Sequence, residues 1–211
     1  MQITQKGILL ILSGPAGSGK GTVVRRLRED PSFVFSVSAT TRPPREEDKE
    51  GVTYCFKSRR EFEIMLANGE LLEYTEYVGN YYGTPKAPVM RALDAGKNVI
   101  LEIETDGAAQ VKRLLPEAVS VMLLPPDYQT LAARLRGRGT EDEETVKKRL
   151  RKAADEVKAA AGYDYVVVNE DGKIRESAGI IHGIVRSEKM RASRQSQFLS
   201  DFFGNGIPSE G

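Results

Sequence analysis

The stretch Ile8-Leu9-Leu10-Ile11-Leu12-Ser13-Gly14-Pro15-Ala16-Gly17-Ser18-Gly19-Lys20-Gly21-Thr22 governs how the rest of the chain is read. An apolar run of strand type enters a glycine-rich segment that ends in a lysine. Val23-Val24-Arg25-Arg26-Leu27-Arg28 then carries a helical pattern. Strand, glycine-rich turn and helix, in that order, form the context in which a P-loop motif has physical meaning. The glycines let successive backbone N–H groups turn inward toward phosphate oxygens, and the helix N-terminus adds its own donors and partial positive charge. Lys20 supplies a mobile cation for the outer phosphates. A plain strand-to-helix turn needs one or two glycines, whereas this segment has Gly14, Gly17, Gly19 and Gly21 together with the lysine.

The position after the lysine, where a hydroxyl ordinarily meets magnesium, is Gly21, and Thr22 follows it. This Gly-Lys-Gly-Thr ending resembles the loop of adenylate kinases and of other nucleoside-monophosphate kinases. The resemblance implies Mg2+ carried on ATP through phosphates and water, and a small phosphorylated acceptor.

The bulk composition removes several alternatives. A chain of 211 residues, 40% hydrophobic and 29% charged, is long enough for a sizeable core and typical of a globular protein. Its 31 basic and 30 acidic residues leave a net charge of +1, which argues against nucleic acid or an anionic membrane as a bulk partner. The single cysteine, Cys55, excludes an internal disulfide framework and a cysteine zinc site. The single histidine, His182, sits in an apolar helical stretch and reads as structural. No apolar run approaches the ~20 residues of a membrane span, and residues 1–7 are too short and polar for a secretory signal. The expectation is a cytoplasmic protein; an oligomer is possible, with no sequence feature arguing for one.

Apolar runs at 8–12, 33–37, 98–103, 119–124 and 163–168 alternate with helical patterns at 19–29, 106–115, 128–136, 143–160 and 175–190. This rhythm predicts an α/β fold: a P-loop NTPase-type parallel sheet flanked by helices. Residues 38–88 break the rhythm with short alternating pieces and one helix, at 59–68, so a small mixed α/β domain is expected there, inserted into the core. The core then comprises 1–37 and 89–191, with a helical lid at about 134–150. A tail, 192–211, carries Phe198, Leu199, Phe202 and Phe203 at helical spacing, read as a stripe docking on the core. Its last residues are expected to be disordered.

The second informative stretch is Ser36-Val37-Ser38-Ala39-Thr40-Thr41-Arg42-Pro43-Pro44-Arg45. Two arginines three apart, stiffened by two prolines, suit a bidentate grip on phosphate. Residues 36–56 resemble the guanylate kinase pattern SVSxTTRxPRxGExxGxxYxF. Leu72-Glu73-Tyr74 and Gly79-Asn80-Tyr81-Tyr82-Gly83-Thr84 are similar to that family's second GMP-binding segment, residues 101–108 to its LEIDxQGA, and residues 131–140 to its lid entry. The resemblance implies an ATP:GMP phosphotransferase. It assigns ATP to Gly14, Pro15, Ala16, Gly17, Ser18, Gly19, Lys20, Gly21, Thr22 and Asn169. It assigns the GMP phosphate to Ser38, Arg42, Arg45, Tyr54 and Tyr82, the guanine edge to Glu73 and Thr84, and further acceptor contacts to Asp48 and Glu104. Guanine presents N1–H and N2–H2 side by side, a donor pair that one carboxylate can accept, whereas adenine would set a lone pair against it. Lys20, Arg134, Arg138 and Arg149 are expected to neutralise charge on the moving phosphoryl group.

Three departures stand out. The family's Gly-Glu is Glu47-Asp48, its LEID aspartate is Glu104, and its glutamine is Asp106. Two other readings remain open at this level: a non-catalytic guanylate-kinase-like binding module, and a kinase for another nucleoside monophosphate.

Overall fold

Strand β1 (Leu9–Ser13) is buried along its whole length at the centre of the larger of two sheets in the computed structural model, which describes residues 6–137 and 142–204. Its neighbours are β7 (Asn98–Glu102) and β8 (Val119–Leu124), flanked by β2 (Phe33–Phe35) and β9 (Tyr165–Val168). The order is β2-β7-β1-β8-β9, and every pairing is parallel. Side chains alternate across a strand, so the one apolar run feeds two core layers. Ile8, Leu10 and Leu12 meet Val23, Val24 and Leu27 of α1 (Lys20–Leu27) and Ile181 and Val185 of α7 (Ile174–Lys189). Leu9 and Ile11 meet Val111 of α4 (Thr105–Leu114) and Val89 and Leu93 of α3 (Lys86–Asp94). A strand covered on both faces needs this unbroken apolar sequence. Edge strand β9 is covered on one face only: Val167 is buried, while Val166 and Val168 stay about half exposed.

The second sheet has the order β4-β3-β6-β5, built from β3 (Ala39–Thr40), β4 (Cys55–Phe56), β5 (Leu71–Tyr77) and β6 (Asn80–Pro85). It is antiparallel except for the β3–β4 pair. Helix α2 (Arg59–Ala67) covers it, started by a capping box in which Ser58 and Glu61 satisfy each other's backbone N–H groups. Phe62 of α2 is fully buried and stacks on Tyr81 with ring centroids 5.2 Å apart.

Helix α3 is absent from the sequence pattern because Pro88 interrupts it. Proline is tolerated in a first helical turn, where its missing N–H has no intrahelical partner, and Pro88 is the third residue of α3. The expected boundary at 88/89 falls inside this helix. Helices α5 (Tyr128–Arg136) and α6 (Glu143–Ala159) begin at Asp127 and Asp142, whose carboxylates accept the N–H groups of Thr130 and Thr145. The tail differs from expectation. Helix α8 (Ser196–Gly204) forms, yet Phe198, Leu199 and Phe202 are 45%, 44% and 68% exposed. It neighbours the short turn at Ala192–Arg194, and Phe198 meets Phe202 with ring centroids 6.1 Å apart.

Phe62→Ala tests how far the small sheet depends on one side chain. Truncating a fully buried phenylalanine costs ~3–5 kcal/mol, so the denaturant midpoint should fall clearly; a change below ~1 kcal/mol would show that other contacts hold the sheet.

Candidate active site

Gly14, Gly17 and Gly19 have φ of 151°, 91° and 94°, which winds the chain between β1 and α1 into a tight loop. At Gly19 the constraint is spatial as well, because an added Cβ would lie 2.3 Å from Asn169 Nδ2. Helix α1 starts with neither a side-chain cap nor an acidic residue in its first turn. Its positive end is therefore not neutralised by its own sequence.

The loop is held on two sides. At its entrance the Lys20 ammonium donates to the carbonyls of Gly14 and, at 3.3 Å, Pro15. Behind it Asn169, at the exit of β9 and buried, donates through Nδ2 to the Ser18 carbonyl at 2.8 Å and accepts from Ser177 Oγ at 3.1 Å. Arg134 of α5 donates to the carbonyls of Gly17 at 3.3 Å and Asn169 at 2.7 Å, and pairs with Asp171 at 2.6 Å. Arg134 and Asn169 thus meet the carbonyl side of the P-loop. Arg138 lies outside the described residues.

A cleft of about 780 Å3 opens at the carboxyl ends of β1 and β7, where ligands of open α/β sheets bind. Gly14, Ala16 and Lys20 form one side, Ser38 and Tyr54 another, and Glu104 and Arg149 a third. The size is within the range of small-molecule sites. The cleft also contains Glu102, which lies in the 101–108 motif without an assigned role, and Lys152 and Glu156, which lie outside the motifs. For Lys152 and Glu156 the signal was present in helix spacing. Val146, Leu150 and Ala153 of α6 pack on Leu131, Ala132 and Leu135 of α5, which leaves Arg149, Lys152 and Glu156 together on another face. Burial pushes the Glu102 carboxyl up, opposed by the Lys20 charge. Burial likewise pushes Glu156 up, opposed by Lys152 and Lys20.

On the small sheet, Arg42 donates to Asp48 Oδ2 at 2.8 Å, and its guanidinium lies 5.4 Å from the Tyr54 ring centroid. Tyr82 meets the same ring edge-on at 5.9 Å. The Arg45 N–H donates to Asp48 Oδ2 as well, at 2.8 Å, while the Arg45 side chain is exposed. That backbone bond, followed by the Arg42 contact, holds the Asp48 carboxyl below its usual range against a desolvation that would raise it. Asp48 therefore organises the two-arginine turn, despite being one methylene shorter than the glutamate of the resemblance.

Glu73 of β5 is only 6% exposed and accepts from Thr84 Oγ1 of β6 at 2.6 Å. Its other oxygen, Oε2, would be 2.9 Å from a Cβ at position 107, so Gly107 in the first turn of α4 makes the room for it. Burial pushes the Glu73 carboxyl up, and the Thr84 contacts pull it partly back. A buried acid with one hydroxyl donor and unused acceptor capacity is suited to a ligand that presents N–H groups. The helices described contain none long and apolar enough to cross a membrane.

Known proteins resemble this chain over nearly all of its length. The family model for guanylate kinase matches residues 6–182. A guanylate kinase of Clostridioides difficile is 46% identical over 200 residues, covering 94% of this chain and 97% of that one. One from Halalkalibacterium halodurans is 48% identical over 191 residues, 90% and 93% of the two chains. The crystal structure of guanylate kinase from Anaplasma phagocytophilum superimposes with a TM-score of 0.72 at 35% identity, covering 93% of this chain and 98% of that one. On the P-loop, the paired sheets and this extent of likeness, the chain belongs to the guanylate kinase family.

Proposed function

We infer that this protein transfers the γ-phosphoryl group of ATP to GMP, giving ADP and GDP. The observation that carries the reading is a shared cleft: Lys20 and the P-loop face Ser38, Tyr54 and Glu104 across one space, so two phosphate-bearing ligands can meet there. Phosphoryl transfer asks for positioning and charge neutralisation more than covalent chemistry by the protein. The P-loop backbone and the N-terminus of α1 hold the ATP phosphates, and Lys20 and Arg149 place cations at the cleft. Arg134 and Asn169 act on ATP through the loop carbonyls that they fix. Ser38, Arg42, Arg45, Tyr54 and Tyr82 take the GMP phosphate, Asp48 sets the arginine turn, and Glu73 with Thr84 receives the guanine edge. The GMP phosphate oxygen attacks the γ-phosphorus in line, the bond to the β-phosphate oxygen breaks, and ADP leaves.

Position 21 has no hydroxyl, and the described residues contain no cluster of three or more potential metal-ligating side chains. Glu102, Glu104 and Glu156 line the cleft, and Glu104 faces the acceptor. That donor set fits Mg2+ held mainly by ATP phosphates and touched by the protein through water. When bound, the ion draws charge from the transferring group.

A coupled assay for ADP release tests the reading. Lys20→Ala should lower kcat by at least ~10²-fold, the order seen when one preorganised charge stabiliser is lost, with the fold retained by circular dichroism. Near-parent turnover in a folded variant would contradict the P-loop role.

Glu73 gives a second test with a defined sign. Guanine N–H donors favour its ionised form, whereas burial favours its protonated form. KM for GMP should therefore rise as pH falls through the raised Glu73 pKa, and Glu73→Gln should remove that component while losing GMP turnover. Stability runs the other way. A carboxyl with a raised folded-state pKa stabilises the fold when protonated and loses that contribution as pH rises through the folded pKa. At neutral pH, Glu73→Gln should melt no lower than the parent. Unchanged GMP turnover in Glu73→Gln would remove this residue from the acceptor site.

A further inference from the structure

Glu104 is the N-cap residue of α4, yet its side chain makes no cap hydrogen bond. A short acid there would fold back on the helix N–H groups, and Asp, Asn and Ser lead the N-cap preference for that reason. In the LEIDxQGA pattern that short acid is aspartate. The extra methylene of Glu104 carries the carboxylate away from its own helix to α6, where Lys152 Nζ donates to both oxygens, at 2.8 and 2.9 Å.

Lys152 is itself directed toward this contact. Val146, Leu150 and Ala153 fix the roll of α6 against α5, which turns Lys152 to the cleft beside Arg149. One helical turn on, Glu156 lies 4.0 Å from Nζ with only 11% of its side chain exposed. Burial pulls the Lys152 ammonium down, but the Glu104 hydrogen bond and charge outweigh it, so its pKa ends above the ordinary lysine value. Glu104 and Lys152 side chains are 65% and 54% exposed. An ion pair so hydrated adds little to global stability. What it does is restrict a long, otherwise free carboxylate to one place on the cleft wall.

We propose that Lys152 is a positioning residue for the acceptor: through its two-point contact it holds Glu104 in the orientation that the acceptor nucleotide meets, and so ties α6 to the acceptor wall. This inference rests on the functional reading above. It also explains how the chain accommodates glutamate where the family pattern has aspartate.

Steady-state kinetics on the full chain test it, with Lys152→Met, Lys152→Arg, Glu104→Gln and the double variant Lys152→Met/Glu104→Gln. Lys152→Met should raise KM for GMP about two- to fivefold, the most that an exposed pair of this kind can transmit, with KM for ATP and the melting temperature unmoved. Lys152→Arg should recover most of the loss. In the Glu104→Gln background, Lys152→Met should have no further effect, because a residue acting through another shows non-additivity. Parent-like GMP kinetics in Lys152→Met, an undiminished effect of Lys152→Met in the Glu104→Gln background, or a fall in melting temperature matching the kinetic loss would each overturn the proposal. So would a loss confined to kcat, which would make Lys152 act on the transferring group instead. A parent enzyme that turns over GMP while Lys152→Met does so equally well overturns this inference alone. A parent inactive on GMP overturns the functional reading, and this one with it.

Discussion

The carbonyl groups of Gly14, Pro15, Gly17 and Ser18 are the constraint on which the site depends. A loop that turns its N–H groups toward phosphate must turn carbonyls elsewhere, and buried carbonyls need donors. Here the donors come from separate parts of the chain. Lys20 serves Gly14 and Pro15, Arg134 of α5 serves Gly17, and Asn169 beyond β9 serves Ser18. The loop is thereby tied to the helix that follows it, to α5 and to the far edge of the sheet. Glycine at position 19 is required twice over, by its φ of 94° and by the close approach of Asn169.

The side proposed for the acceptor is built on a different principle. Glu73 is kept in a buried position that favours the neutral acid, with Thr84 as its donor and Gly107 making room beside it. Such a group costs stability at neutral pH, a cost that fits the ligand-receiving role proposed for it. The two-arginine turn is organised more cheaply, by one carboxylate: Asp48 accepts from the Arg42 guanidinium and the Arg45 N–H at once. Helix α6 joins the two sides. Its apolar face is committed to α5, so its charged face, with Arg149, Lys152 and Glu156, has to line the cleft.

The primary structure by itself determined the α/β architecture, because strands buried on both faces require continuous apolar runs. Val119–Leu124 and Tyr128–Arg136 match the predicted ranges, and the other core elements shift by a residue or two at their ends. It also determined the phosphate-binding loop and the family, since both rest on contiguous residues whose spacing is itself the signal. Tertiary structure decided what depends on residues far apart in the chain. Only packing puts Arg134 and Asn169 on the P-loop carbonyls, 117 and 151 residues from their partners. Only packing brings Lys152 to Glu104 across 48 residues. Helix α3 escaped the sequence pattern because its proline falls where a helix tolerates one. Phe198, Leu199 and Phe202 of α8 promised a docked face and stay substantially exposed, because amphipathic spacing specifies a face and leaves its partner to the rest of the fold.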